Sequence, residues 1–244
     1  MAGTLYIVST PIGNLEDVTL RALRILREVA VVAAEDPQST KPLLTRYAIE
    51  TPVTSYHRLI QHEKAPVLIA RLMEGKSVAL VSDAGTPVIA DPGQYLIAQA
   101  LAHGIRVVPV PGASALLAAL SASGLPGESF LFLGSLPEPP RARRKALQEV
   151  ESEPRTLILF ESSDRIAVTL AAIRATLGHR RIILARDLTK PTEEFVRGTV
   201  KEVLKTLGSL PNRGEVTVIV EGCRQRRRVR KQGRQTIRNP RVSE

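Results

Sequence analysis

The chain has 244 residues, 43% hydrophobic and 24% charged, enough for one large or two smaller domains with real cores and too balanced for a wholly disordered protein. No apolar run approaches the roughly 20 residues that span a bilayer, no signal-like leader is expected, and Cys223 is the single cysteine; these features argue against membrane, disulfide-framework and multi-cysteine zinc proteins and predict a cytoplasmic location. The net charge of +10 is concentrated, because residues 224–244 hold nine Lys or Arg against one acid and leave 25 basic and 23 acidic residues before them.

Short β-branched segments alternate with amphipathic ones from the start. Leu5-Tyr6-Ile7-Val8 reads as a strand, and the spacing of Leu20, Leu23, Ile25, Leu26 and Val29 predicts a helix over about 17–29. Val31-Val32-Ala33 is a second strand, followed by a helix opened by Asp36 as cap and Pro37 in its first turn. A strand near Thr54, a helix over about 61–73, and strands over 78–81 and 106–110, each followed by a turn motif and a helix, extend the βα pattern. The first 122 residues therefore predict an open, mainly parallel sheet.

Turn formers at Ser123-Gly124-Leu125-Pro126-Gly127 and Leu136-Pro137-Glu138-Pro139-Pro140 break this pattern and place a domain boundary at 122/123. Strands are expected at 130–133, 157–160, 182–185 and 216–220, with a short one near 195–198 and helices from about Arg141 and Arg165. The expected architecture is two α/β domains in series, 1–122 and 123–223, with a cleft between them and a basic, disordered tail over 224–244. The tail cluster Arg226, Arg227 and Arg228 suits phosphates, or is a solvated face with no partner.

Three loops combine Gly or Pro with small polar residues directly after strands: Ser9-Thr10-Pro11-Ile12-Gly13-Asn14, Ser82-Asp83-Ala84-Gly85-Thr86-Pro87, and Pro111-Gly112-Ala113-Ser114-Ala115. Any one of them is explained by turning the chain. Three at strand ends point to a ligand that the backbone approaches closely. No GxGxxG follows the first strand, Ala70 stands where a P-loop ending in Gly75-Lys76-Ser77 needs glycine, and Gly112-Ala113-Ser114-Ala115-Leu116 lacks the second glycine of a nucleophile elbow. His57, His62, His103 and His179 show no metal-ligand spacing with Cys223, so no metal is expected.

In their order, these loops together with Ala34-Glu35-Asp36, Asp91-Pro92-Gly93, Ser123-Gly124-Leu125-Pro126, Ala185-Arg186-Asp187-Leu188-Thr189-Lys190 and Val220-Glu221-Gly222 resemble the tetrapyrrole methylase superfamily, over about residues 4–222. The similarity is to its ribosomal branch. Pro37-Gln38, Ser135 and Asp164 depart from the family pattern. The resemblance implies S-adenosylmethionine in the interdomain cleft, held by Pro11, Ile12, Gly13, Asp83, Gly85, Thr86, Pro87, Ile89, Pro111, Ser114, Ala115 and Leu116, with Phe160, Ala185 and Val216 from the second domain either joining them or packing a core.

It also implies methyl transfer to a cytidine 2′-hydroxyl of small-subunit ribosomal RNA, free or in the assembled 30S subunit, by a homodimer without membrane association. Such a hydroxyl is weakly acidic, and Glu35, Asp36, Asp83 and Glu161 are the candidates to take its proton, each equally able to be a helix cap or an ion-pair partner. Arg165, Arg186, Lys190 and Arg197 are candidate phosphate contacts or simple surface charges. Two alternatives stay open: a methyltransferase for a tetrapyrrole or corrinoid, and a non-catalytic RNA-binding assembly protein on the same fold.

Overall fold

A computed structural model describes residues 1–207 and 214–223. The first half alternates strands β1 (Thr4–Val8), β2 (Val31–Ala34), β3 (Val53–Ser55), β4 (Val78–Val81) and β5 (Arg106–Val110) with helices α1 (Leu20–Glu28), α2 (Pro37–Arg46), α3 (Gln61–Met73), α4 (Gln94–Ala102) and α5 (Ala115–Ser121). The strands form one all-parallel sheet in the order β3-β2-β4-β1-β5. Every residue of β2 and β4 is buried, as a sheet covered on both faces requires. Alternation assigns the two cores: Val32 and Ala34 join Leu23, Leu26 and Leu43 from α1 and α2, while Val31 and Ala33 join Leu68, Leu72 and Leu96 from α3 and α4.

The helix starts follow from capping chemistry. Asp36 accepts from the Gln38 N–H at 2.9 Å with Pro37 in the first turn, so the expected α2 start is observed. α1 begins three residues later than its apolar spacing suggested. Asn14 caps a separate 3-10 turn over Leu15–Asp17, Val18 is extended, and Thr19 makes the true cap by accepting from the Ala22 N–H at 3.1 Å.

The second half contains β6 (Phe130–Ser135), α6 (Pro140–Glu149), β7 (Thr156–Ser162), α7 (Ile166–Leu177), β8 (Arg181–Arg186), β9 (Glu194–Thr199), α8 (Val200–Thr206) and β10 (Glu215–Val220). Their sheet is mixed, in the order β6-β7-β10-β8-β9, with only β6 and β7 parallel. Leu157, Leu159, Ile182 and Leu184 face the core shared with α6, α7 and α8, and Ile158, Phe160, Ile183 and Ala185 face the opposite side. The unexpected element is α8, which a reciprocal Thr199–Glu202 capping box starts directly at the end of β9.

Helix α5 connects the two halves in space. It follows the last strand of the parallel sheet, yet its Leu116, Ala119 and Leu120 are buried against Ile158, Ile183 and Ile219 of the second sheet. Each buried leucine contributes about 2 kcal/mol, so the loop leading into α5 is anchored to both sheets.

Candidate functional site

Because all five strands of the first sheet are parallel, their C-terminal ends lie along one edge, where open α/β sheets hold ligands. The three Gly/Pro loops are bonded together there. Thr10 and Gly85 exchange backbone hydrogen bonds of 2.9 and 3.0 Å, and the Ser9 N–H donates to Val110 O at 3.2 Å. The Ser9 and Thr86 hydroxyls lie 3.0 Å apart, and Thr86 donates onward to Ala113 O at 3.2 Å, linking the second loop to the third. Gly85 has φ +79, and a Cβ added there would sit 3.2 Å from Ile12 Cγ2, so the close approach of the loops needs glycine.

A fourth loop, from the second sheet, closes one end of the site. The Asn14 N–H donates to Thr189 Oγ1 at 2.9 Å. A Cβ on Gly13 would lie 2.6 Å from Leu188 O, so the first loop packs against residues 188–190 with no room for a side chain. Five non-glycine residues among those described have positive φ, and four of them, Val88, Ala90, Asp187 and Thr189, lie just after the second loop or in the fourth. Backbone held in that region costs on the order of 1–3 kcal/mol per residue and persists where the surroundings over-determine it, as at ligand clamps.

The loops and the second sheet enclose a cleft of about 460 Å³. Of the expected cofactor residues, Ile12, Gly85, Thr86, Ile89, Ser114, Ala115, Phe160, Ala185 and Val216 line it. The others do not. Pro11 and Pro87 are buried, Asp83 and Pro111 are exposed, Leu116 packs in the core under α5, and Gly13 acts through its contact with the fourth loop. Ala84, Ala90, Asp91, Ser135, Asp187, Leu188, Gly214, Glu215 and Thr217 complete the wall and were missed, along with a cleft position for Lys190, which sequence reasoning assigned to phosphate. Asp91 and Asp187 stood inside recognised motifs and could have been found. Glu215 and Thr217 are brought in by the sheet pairing of β10, which local sequence does not reveal.

The four candidate carboxylates separate into two settings. Glu35 directly follows β2 and Asp83 lies two residues past β4; neither lines the cleft, but with Asp91 of the cleft wall they form a mutually repelling group. Burial first, then the charges of Asp91 and Asp83, push the Glu35 carboxyl up to about 7, against the pull of Arg58 and of a backbone hydrogen bond from Asp83. Asp83 is also raised, chiefly by lost hydration, although the Asp36 N–H donates to its Oδ1 at 3.0 Å. Burial raises Asp91 as well, with Glu215 and Asp83 adding to it and the Ser82 hydroxyl and Arg58 opposing. Arg58 spans this group by donating to Ala90 O at 2.6 Å.

The remaining two carboxylates are structural. Asp36 is an exposed helix cap whose Oδ1 takes the Gln38 N–H and whose Oδ2 takes the Ser39 hydroxyl at 3.3 Å. Glu161 has its side chain 1% exposed on the face of β7 opposite Phe160, where it accepts from Thr169 Oγ1 at 2.5 Å and pairs with Arg165 at 3.5 Å. It is therefore not in the cleft.

The expected phosphate contacts also disperse. Arg165 is held by Glu161, Glu138 and Leu136 O. Arg186 is buried and paired with Glu194 at 3.4 Å. Arg197 lies over the Phe195 ring at 4.7 Å and donates to Ala122 O. Lys190 reaches the cleft while paired with Asp187 at 3.1 Å. Arg226, Arg227 and Arg228 lie outside the described residues.

Comparison with known proteins places this geometry. The sequence profile of the Tetrapyrrole (Corrin/Porphyrin) Methylases matches residues 4–204. The chain is 49% identical over 220 residues to the ribosomal RNA small subunit methyltransferase I of Halalkalibacterium halodurans, covering 90% of this chain and 76% of the relative. It is 44% identical over 220 residues to the protein of that name from Thermotoga maritima, covering 90% and 99% of the two chains. Among solved structures, the cobalt precorrin-4 methyltransferase CbiF superposes with a TM-score of 0.66 at 20% identity, over 89% of this chain and 94% of that one. The uroporphyrin-III C-methyl transferase of Thermus thermophilus complexed with S-adenyl homocysteine does so with a TM-score of 0.63 at 23% identity, over 90% and 97%. The profile match over most of the chain, together with relatives at 44% and 49% identity, shows that this chain belongs to the tetrapyrrole methylase family.

Proposed function

We propose that this protein is an S-adenosylmethionine-dependent methyltransferase that modifies a cytidine ribose 2′-hydroxyl in small-subunit ribosomal RNA. The observation that carries the reading is the cleft walled by bonded loops, in a chain 49% identical over 220 residues to a small-subunit RNA methyltransferase. The corrinoid and tetrapyrrole methyltransferases named above are 20% and 23% identical, respectively, and support the fold alone.

The residues present fit the cofactor. A cleft of about 460 Å³ lies in the range of small-molecule sites, and it offers apolar walls at Ile12, Ala115, Phe160 and Val216 beside polar groups on Thr86, Ser114, Asp91 and Lys190. When bound, S-adenosylmethionine supplies an electrophilic methyl group on a sulfonium. The chain's own task is to orient the acceptor hydroxyl, exclude water and receive its proton. Glu35, backed by Asp83 and Asp91, is our choice for the proton acceptor, because its carboxyl is held at about 7 and so changes charge near working pH.

We take residues 1–122 and 123–223 as the two domains, and a homodimer acting in the cytoplasm on free RNA or 30S subunits as the functional form. Among the described residues, no helix is long and apolar enough to cross a membrane. The deciding experiment is transfer of radiolabelled methyl to purified small subunits, free small-subunit RNA and a tetrapyrrole. Labelling of the ribosomal substrates, mapped to a cytidine ribose, is the expected result, and labelling of the tetrapyrrole alone would overturn the reading.

A further inference from the structure

The segment after β6 contains more positive charge than its own packing uses. Leu136-Pro137-Glu138-Pro139 leads from Ser135, in the cleft wall, to the first turn of α6. Two arginines hold this strap. Arg143 is 5% exposed and donates from Nε and Nη2 to Pro137 O and Glu138 O at 3.2 and 2.7 Å, and Arg165 donates to Leu136 O at 2.9 Å. The remaining cations, Arg141, Arg144 and Lys145, are exposed, and none forms an ion pair or a hydrogen bond through its side chain among the described residues.

These cations are arranged as a stripe. Positions 141, 144 and 145 share one helix face, and Arg143, Ala146 and Leu147 on the other face pack inward. The helix gains nothing from this arrangement. Like charges three and four residues apart repel, and cations in the first turns oppose the helix dipole, which favours anions there. α6 has no acidic residue in its first turn to offset either effect. A bound polyanion would relieve both.

The position suits a substrate larger than the cleft. β6 and β7 run parallel, so the first turn of α6 lies at the same end of the second sheet as the cleft residues Ser135 and Phe160. Arg141 is six positions after Ser135, a reach of at most about 22 Å.

We infer that the Arg141–Arg144–Lys145 face of α6 is a docking surface for the phosphate backbone of the RNA whose reacting ribose enters the cleft. This rests on the RNA reading proposed above and adds a surface on the folded body, separate from the tail. The contacts are with phosphates, so they supply affinity and register without reading sequence.

The test compares the full chain with the triple variant Arg141→Gln, Arg144→Gln, Lys145→Gln, which removes the charges while keeping good helix formers. A second triple variant, Lys41→Gln, Arg71→Gln, Lys76→Gln, removes the same net charge from exposed positions on the first half of the chain. Binding of small-subunit RNA is measured across a salt series, S-adenosylhomocysteine binding by calorimetry, and helix content by circular dichroism. The α6 variant is expected to lose at least about tenfold in RNA affinity near 0.1 M salt, and its log–log salt slope to become shallower by about 2, since each neutralised phosphate contributes roughly 0.7 to 0.9. S-adenosylhomocysteine affinity and helix content should stay at the wild-type values.

An unchanged slope, or an equal loss in the second triple variant, overturns the surface. Methyl transfer by the wild-type chain, measured alongside, reports on the reading itself. Transfer to RNA with an unchanged slope in the α6 variant overturns the α6 surface alone, and failure of the wild-type chain to bind or methylate RNA overturns both.

Discussion

The partly buried Glu35 at the end of the parallel sheet and the buried Glu161 in the mixed sheet show two different settings for a carboxylate. Glu35 faces other acids, with Arg58 as the cation opposing them, and its carboxyl rises to about 7. Glu161 is more completely enclosed, yet it accepts hydrogen bonds from Thr169 and from the Ser162 N–H and pairs with Arg165. Burial alone therefore does not decide what a carboxylate does. The neighbours differ: Glu161 is met by a hydroxyl, a backbone N–H and an arginine, whereas Glu35 has a backbone N–H from Asp83 set against the charges of Asp83 and Asp91.

The largest effect should come from Glu35→Gln. We expect methyl transfer to fall by about 10²- to 10⁴-fold, the usual contribution of a positioned proton acceptor, and the rise in rate through pH 7 to flatten, while S-adenosylhomocysteine binding changes less than about twofold. Stability should move the other way. The fold favours the protonated Glu35, so ionisation withdraws stability as pH rises from the ordinary 4.5 through about 7. The variant should then be at least as resistant to urea as wild type at pH 8. Loss of activity with an unchanged pH profile would assign the proton to another group.

Next in size is Gly13→Ala. Its Cβ would meet backbone of the fourth loop at 2.6 Å, which cannot rotate away as a flexible side chain could. The cleft wall must shift, and S-adenosylhomocysteine affinity should fall at least tenfold in calorimetry with the melting temperature little changed. An unaltered affinity would mean that the contact between the first and fourth loops does not shape the cofactor site.

Glu161→Ala supplies the other side of the comparison. Removing a carboxylate whose side chain is 1% exposed leaves the Thr169 hydroxyl without this acceptor and Arg165, among the described residues, with the exposed Glu138 as its remaining ionic partner. The expected cost is about 2 kcal/mol of unfolding free energy, measured in urea, with methyl transfer near wild type below the melting transition. A stable but inactive variant would return Glu161 to the catalytic candidates.

Much of this arrangement was legible in the sequence. The βα alternation, the cap at Asp36 and the three Gly/Pro loops depend on local chemistry, and local chemistry can be read residue by residue. The errors arose where a two-residue period or distant pairing decides. Phe160 and Glu161 are neighbours on β7 and point to opposite faces, Phe160 into the cleft wall and Glu161 against Thr169 and Arg165. The same alternation separates Ala185, in the cleft wall, from Arg186, buried against Glu194. Glu215 and Thr217 enter only because β10 is inserted between β7 and β8, a long-range choice with no local signal. The packing of α5 on the second sheet was hidden for the same reason.

The smallest expected effect is the most discriminating, because it alters the charge around Glu35 without touching the carboxylate. Arg58 lowers both Glu35 and Asp91, and it also holds the cleft wall through its 2.6 Å bond to Ala90 O. Arg58→Gln removes the charge and keeps a donor, while Arg58→Lys keeps the charge and loses the planar fork. With the charge gone, Glu35 should titrate higher, so the rise in methyl-transfer rate moves to higher pH, by less than about one unit because Arg58 is exposed and screened. Activity at pH 7 then falls a few-fold while the plateau at high pH is kept. Arg58→Lys should leave the rise where it was. If Arg58→Gln instead lowers the plateau and leaves the rise in place, Arg58 acts by holding the 85–93 loop, and the near-neutral carboxyl at this site does not depend on it.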